Sequence, residues 1–401
     1  MKVDVRPGLY LHIPFCSAIC PYCDFSVVQS ASPVRPRFVE RLAAEVALAA
    51  RDWRDPRPFD TLYFGGGTPS QLAPEDLERV LDACRTHLAF EPGAPWIFLE
   101  ANPEDATPEA CAAWRRLGVR TLSLGVQSFS DEALRFLGRH HSAQQARAVV
   151  ETALAAGFDT VSVDLIFGLP GQTEDDWRRA LAAAVELGPP HLSCYQLTIH
   201  PQTGFGVKAK QGQLSELPEN EQAALFELTH RLLADAGWPA YEVSNFARGP
   251  EHQSRHNRKY WDHTPYLGLG PSAHSLAVDG DGGASPQARR WWNERGTLRW
   301  DSRLAAGERP VEGEEVLGPT DLATEALLLG LRTTAGIDLN GFTARYGVDL
   351  LAANDALVAR LVDDGRMLLR ADHRGRWLVP TLSGLAVADG LAAAFELPPA
   401  R

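Results

Sequence analysis

Between residues 8 and about 200 one unit recurs: a short apolar strand, a polar turn, then an amphipathic helix. No other feature narrows the fold so far, because strands that alternate with helices are joined by crossovers and run parallel. The strand candidates are 9–13, 61–64, 97–100, 121–126, 160–167 and 191–199. Between them, Phe38, Leu42 and Val46 recur at a four-residue spacing on one helix face. Ser142 with Gln145 makes a capping-box start for a helix that Gly157 ends. Thr173 can cap another helix, which runs through Trp177 and Leu181 to Gly188. Six such units can form an open doubly wound sheet or part of a barrel, and the pattern alone does not choose. The position of the unusual residues helps. Residues 16–23, 65–68, 100–102 and Gln127 all sit at or just beyond the C-terminal ends of successive strands. That is the face on which α/β barrels assemble their sites.

After a further helix at 221–236 comes a non-periodic stretch, 241–275, rich in His, Asn and aromatic residues. The segment DGDGGAS (279–285) reads as an exposed loop or linker. From about 318 the chain turns to short helices (324–332, 339–346, 354–363) and a hairpin, 367–369 against 377–379. Helices followed by a two-stranded wing suggest a winged-helix-like unit. The expected architecture is therefore α/β: a partial (β/α)6 TIM-like barrel over 1–240, a connecting region over 241–317, and a C-terminal winged-helix-like helical domain over 318–401.

A formal charge of −12 argues against nucleic acid as the main partner. No run approaches the roughly 20 apolar residues that span a bilayer, and the opening residues lack the apolar stretch of an export signal. The expectation is a soluble cytoplasmic protein. In such a chain six cysteines do not make a disulfide framework. Cys84, Cys111 and Cys194 lie scattered in apolar segments and read as buried thiols.

The other three, Cys16, Cys20 and Cys23, form C-x3-C-x2-C on one short loop. Three thiolates can bind three irons of a cubane cluster, whereas ordinary 4Fe–4S clusters take four cysteines. The missing ligand leaves one iron open to a reactant, as a catalytic zinc keeps a vacant position. A zinc site with His12 or another histidine as fourth ligand is the alternative, although no second C-x2-C is present to complete a zinc knuckle.

The loop CSAICPYC resembles the signature of the radical S-adenosylmethionine (SAM) superfamily. The resemblance implies a 4Fe–4S cluster whose open iron is chelated by the amino and carboxylate groups of SAM. It also implies an electron donor, since the reduced cluster passes one electron into the sulfonium and releases a 5′-deoxyadenosyl radical. The glycine-rich turn Gly65–Gly66–Gly67–Thr68 would hold the methionine amino group. LEANP (99–103), GVQS (125–128), LGRHH (137–141) and VDLIFGLPGQT (163–173) are similar to oxygen-independent coproporphyrinogen III oxidases. Carried over by position, Tyr10, Gly66 and Glu100 would contact SAM. A second SAM would meet Tyr22, Gly67, Thr68, Gln127, Arg139 and Asp164.

Within that superfamily the chain most resembles the HemW-type haem chaperones. It begins close to the cluster loop, so the long N-terminal extension of the oxidases is not expected. Phe25 stands where the oxidases carry a further cysteine. YEVSNFA (241–247), HNRKYW (256–261) and YLGLGPSAHS (266–275) also look like the chaperone group. The resemblance implies that the protein binds haem and transfers it to an acceptor protein. His256 or Tyr260 of the H-N-x-x-Y-W pattern is then the candidate haem ligand, with His252, His263 and His274 nearby in sequence. The runner-up is a true oxidase that decarboxylates porphyrin propionates, and no catalytic residue is assigned.

Overall fold

A computed structural model of the chain describes residues 6–93, 95–279, 286–373 and 375–398. Its centre is a sheet of six parallel strands in chain order, β1 (Gly8–Ile13), β2 (Thr61–Gly66), β3 (Trp96–Ala101), β4 (Val119–Gln127), β5 (Thr160–Phe167) and β6 (His191–Gln196). These are the six strands read from the sequence, with ends shifted by a few residues.

The strands alternate because one face meets helices and the other faces the barrel interior. Leu9, Leu11 and Ile13, Leu62 and Phe64, and Leu122, Leu124 and Val126 are all buried in the main apolar core. Against them pack Phe38, Leu42 and Val46 of α1 (Phe38–Asp52) and Leu77, Val80 and Leu81 of α2 (Pro74–His87). Each such side chain contributes roughly 1.5–3 kcal/mol by leaving water. Next come α3 (Pro108–Leu117), α4 (Asp131–Phe136), α5 (Ala143–Ala155) and α6 (Glu174–Leu187). The expected capping box of Ser142 with Gln145 is present on α5, and the expected cap Thr173 makes a capping box of its own with Asp176 on α6. Gly157 (φ 77°) and Gly188 (φ 71°) follow their C-termini in the left-handed region.

Residues 241–317, expected as a connecting region, add strands to both edges of the same sheet. After α7 (Gly204–Lys210) and α8 (Glu219–Asp235), β7 (Asn245–Ala247) pairs antiparallel with β6. Then α9 (Arg255–Trp261) leads to β8 (Tyr266–Leu269), which pairs parallel with β1 on the opposite edge. β9 (His274–Asp279), β10 (Gln287–Asn293) and β11 (Val311–Leu317) continue outward as an antiparallel meander, with α10 (Thr297–Ala305) between the last two. The expected linker at 279–285 falls, from 280 on, outside the described residues.

The C-terminal part has its own apolar core, built from Leu322, Leu327 and Leu331 of α11 (Pro319–Leu331) and Phe342 of α12 (Leu339–Tyr346), with Met367 and Leu378. Leu276, Ala288 and Leu317 of β9–β11 belong to this second core, so the outer sheet edge is its floor. The wing has three strands where two were expected: β12 (Ile337–Asp338) pairs with β14 (Gly375–Pro380), which pairs with β13 (Met367–Asp372). No helix among the described residues is long and apolar enough to cross a membrane.

Candidate functional site

The loop after β1 carries Cys16, Cys20 and Cys23 as free thiols. Its base is stitched down. Phe15 and Cys16 pair with Val28 and Gln29, and the Ser30 N–H donates to the Cys16 carbonyl at 2.9 Å. The glycine turn after β2 is tied to the same loop, Gly67 N–H donating to the Ile13 carbonyl (2.8 Å) and Thr68 N–H to that of Phe15 (2.9 Å). That approach requires glycine: a Cβ on Gly67 would lie 2.8 Å from the Pro14 carbonyl carbon and 2.9 Å from the Phe15 oxygen. Across the mouth, the Phe205 N–H at the start of α7 donates to the Pro21 carbonyl at 2.7 Å. Loops after three different strands thus hold one cysteine loop.

The sulfurs have polar neighbours. Thr68 Oγ1 donates to Cys16 Sγ and an Arg139 Nη1–H to Cys20 Sγ, each at 3.5 Å. Burial pushes the Cys16 thiol up and the Cys23 thiol to about 11, and charge on the other thiols adds to both shifts. Metal binding therefore has to draw protons off as it proceeds. Among the described residues no group of His, Cys, Asp or Glu is gathered tightly enough for a single ion. A cubane needs each thiolate on its own iron, which is what thiols spread along one loop can offer. His12, the alternative fourth ligand, is committed elsewhere: its Nε2–H donates to the Ser26 carbonyl (2.8 Å) and its Nδ1 accepts from the Tyr10 hydroxyl (3.1 Å).

Behind the thiols lies a cavity of about 430 Å3. Of the expected site residues, Tyr22, Gly66, Gly67, Thr68, Glu100, Gln127, Arg139 and Asp164 line it together with the three cysteines. Glu100 accepts from the Tyr63 hydroxyl (2.8 Å) and the Gly66 N–H (3.1 Å). Burial pushes its carboxyl up to about 7, the Tyr63 bond opposes this, and the charge of Asp164 adds to it. Asp164 itself is pushed up to about 6 by burial although serines donate to it, Ser123 at 3.2 Å.

Arg139 donates to Asn102 Oδ1 (2.8 Å) and to the Gly125 carbonyl (2.9 Å), while its buried Nε has no partner. A buried unpaired donor costs free energy unless a ligand supplies the acceptor. A carboxylate such as the one SAM carries would do so. Gln127 takes φ 69° at a bulge between β4 and β5. Such re-aiming of a side chain is common beside binding sites.

Three expected residues lie elsewhere. Tyr10 sits deeper in the barrel and acts on His12. His256 is 1% exposed and fills the far end of the barrel. Its Nδ1 is bonded to Thr61 Oγ1 and its Nε2 to the Tyr260 hydroxyl, each at 3.0 Å. Burial, then the Lys259 charge, pushes its pKa down to about 3. In this arrangement neither His256 nitrogen is free for iron. The residues that sequence reading passed over are Tyr63 and Ser123, while Asn102 falls within the 100–102 segment already singled out. Their signal is the period-2 alternation of polar side chains on otherwise apolar strands.

The sequence matches the radical SAM superfamily over residues 10–184 and the HemN C-terminal domain over 317–385. It is 38% identical to the heme chaperone HemW of Mycobacterium tuberculosis, over 96% of this chain and 93% of that protein. It is 37% identical to the heme chaperone HemW of a Synechocystis species, over 82% and 78%. In fold it is similar to coproporphyrinogen III oxidase (HemN) from Escherichia coli, described as a radical SAM enzyme, with a TM-score of 0.80 and 21% identity over 97% of this chain and 90% of that one. An α/β barrel with three thiols on the loop after its first strand, joined to a HemN-type C-terminal domain, places the chain in the HemW family of the radical SAM superfamily.

Proposed function

We propose that this protein is a haem carrier, which binds haem and passes it to an acceptor protein. We propose further that it holds a 4Fe–4S cluster on Cys16, Cys20 and Cys23, with SAM in the adjoining cavity. The observation that carries the cofactor reading is the cavity itself: three thiols at its mouth, Glu100 on its wall, and the unpartnered Nε of Arg139 inside. The similarity to heme chaperones over nearly the whole chain carries the haem reading.

The cluster, when bound, supplies an open iron for SAM and a route for an electron from a donor protein. The chain's own residues do the positioning. Gly66 and Gly67 bring backbone close to the ligand, Glu100 is suited to sugar hydroxyls, and Arg139 is suited to a carboxylate. Tyr22, Thr68, Gln127 and Asp164 complete the wall and are the candidates for a second SAM. Tyr10 contributes from below by holding His12. Free thiols suit a reducing compartment such as the cytoplasm.

The fold likeness to HemN keeps the oxidase as the competing reading. Anaerobic incubation with coproporphyrinogen III separates the two. The expected outcome is no protoporphyrinogen IX, together with haem uptake by the reconstituted protein and its release to an acceptor. Turnover of the porphyrinogen would overturn the carrier reading.

A further inference from the structure

The cavity mouth has a rim that the cluster and SAM do not account for. Ile19 and Phe25 on the cysteine loop are 47% and 66% exposed, and Tyr195 at the end of β6 is 42% exposed, yet all three line the cavity. Single exposed apolar side chains are ordinary, but three around one opening mark a binding surface. Beside them stands His200, the one histidine among the described residues lining this cavity. Its Nε2 lies 3.4 Å from Oδ2 of Asp24, and both side chains are nearly half exposed. The backbone beneath is fixed, since the Thr203 hydroxyl and N–H both donate to the His200 carbonyl (2.8 and 3.1 Å). The ring is therefore carried on a rigid base and remains open to solvent.

We infer that haem docks on this rim, with His200 as axial ligand and Asp24 as the carboxylate that orients its ring. The inference rests on the haem-carrier reading and names the place where that cargo sits. Haem is a flat apolar disc with a metal at its centre, and it needs apolar side chains on its face and one donor aimed at the iron. Ile19, Phe25 and Tyr195 supply the first. His200 supplies the second: its nearly half-exposed imidazole stands on the same rim, 3.4 Å from a carboxylate that can orient the ring.

Other histidines are worse placed. His191 and His256 are buried with both nitrogens hydrogen-bonded, and His12 is closed in the same way. Asp24 directly follows Cys23, so a filled cluster fixes the residue that orients His200.

The test is a haem titration of anaerobically reconstituted protein, followed by the Soret band, with iron, sulfide and SAM binding measured on the same samples. His200→Ala should lose the axial-ligand signature and bind haem at least about tenfold more weakly. Its cluster content and SAM affinity should match wild type. Phe25→Asp should also weaken haem binding, with the ligand signature kept in the fraction that binds. Asp24→Asn should lie between wild type and His200→Ala. A His200→Ala protein with wild-type haem spectrum and affinity overturns this site while leaving the carrier function intact. If wild type takes up no haem, both readings fall.

Discussion

Glu45 and Glu100 are both pushed up to about 7 by burial, yet they have opposite meanings. Glu45 on α1 is saturated by protein: the Gly270 N–H (2.9 Å), Trp300 Nε1–H (2.8 Å) and Asn293 Nδ2–H (2.5 Å) all donate to it. It is a structural tie between α1 and the outer strands. Among the described residues Glu100 receives only Tyr63 and Gly66, and it borders open space. At this scale a raised carboxyl marks a site only when its shell is incomplete. The Glu45 carboxyl titrates near 4.5 when unfolded and near 7 when folded. Between those values the folded state binds the extra proton, so stability falls as pH rises from about 4.5 to 7. Glu45→Gln removes that slope. Chemical denaturation should show the variant gaining on wild type across this window, by up to about 3 kcal/mol at pH 8. A constant difference between the two would contradict the assignment.

At the scale of elements, the site is built where strands end and loops cross. The bulge that gives Gln127 its φ of 69° is one such place. Gln127→Gly should stabilise the unliganded protein by about 0.5–1 kcal/mol, read in thermal melts, because the left-handed backbone suits glycine. The same change should weaken SAM binding in equilibrium dialysis. Stabilisation with full SAM affinity would remove Gln127 from the site.

Elements of this kind were unevenly legible in the sequence. The six parallel strands, the Ser142 and Thr173 caps and the cysteine loop depend on local patterns, and they were readable. β8 to β11 were not, because YLGL and its neighbours carry no periodicity and become strands only by pairing with residues far along the chain, Tyr10 with Gly268 for instance. The role of His256 was hidden for the same reason. Its partner Thr61 lies 195 residues away, so the motif reads as an exposed ligand until the barrel closes over it.

At the scale of the whole molecule, the C-terminal core and the barrel meet across β8–β11 and α9. One tie at this seam is Glu325 of α11, with His263 Nε2 at 3.3 Å and an Arg290 Nη2–H donating at 2.5 Å. The His263 bond, with help from Arg290 and against a partial burial cost, lowers the Glu325 carboxyl to about 2. A lowered carboxyl contributes stability that is present above its unfolded value near 4.5 and is lost as pH falls towards 2. Limited proteolysis should therefore find the 318–401 region released first on acidification. Glu325→Gln should show that release already at neutral pH. Equal protease resistance of variant and wild type at pH 7 would show that the seam holds without the Glu325 ion pairs.

The central claim of the cofactor reading is that three thiolates hold a cubane with one iron left open. Electron paramagnetic resonance of the reduced, anaerobically reconstituted protein, recorded before and after SAM is added, tests it most directly. The expected result is a 4Fe–4S signal that changes on adding SAM and is absent from Cys16→Ala, Cys20→Ala and Cys23→Ala proteins. A signal that ignores SAM, or one that survives loss of any of the three cysteines, would contradict it.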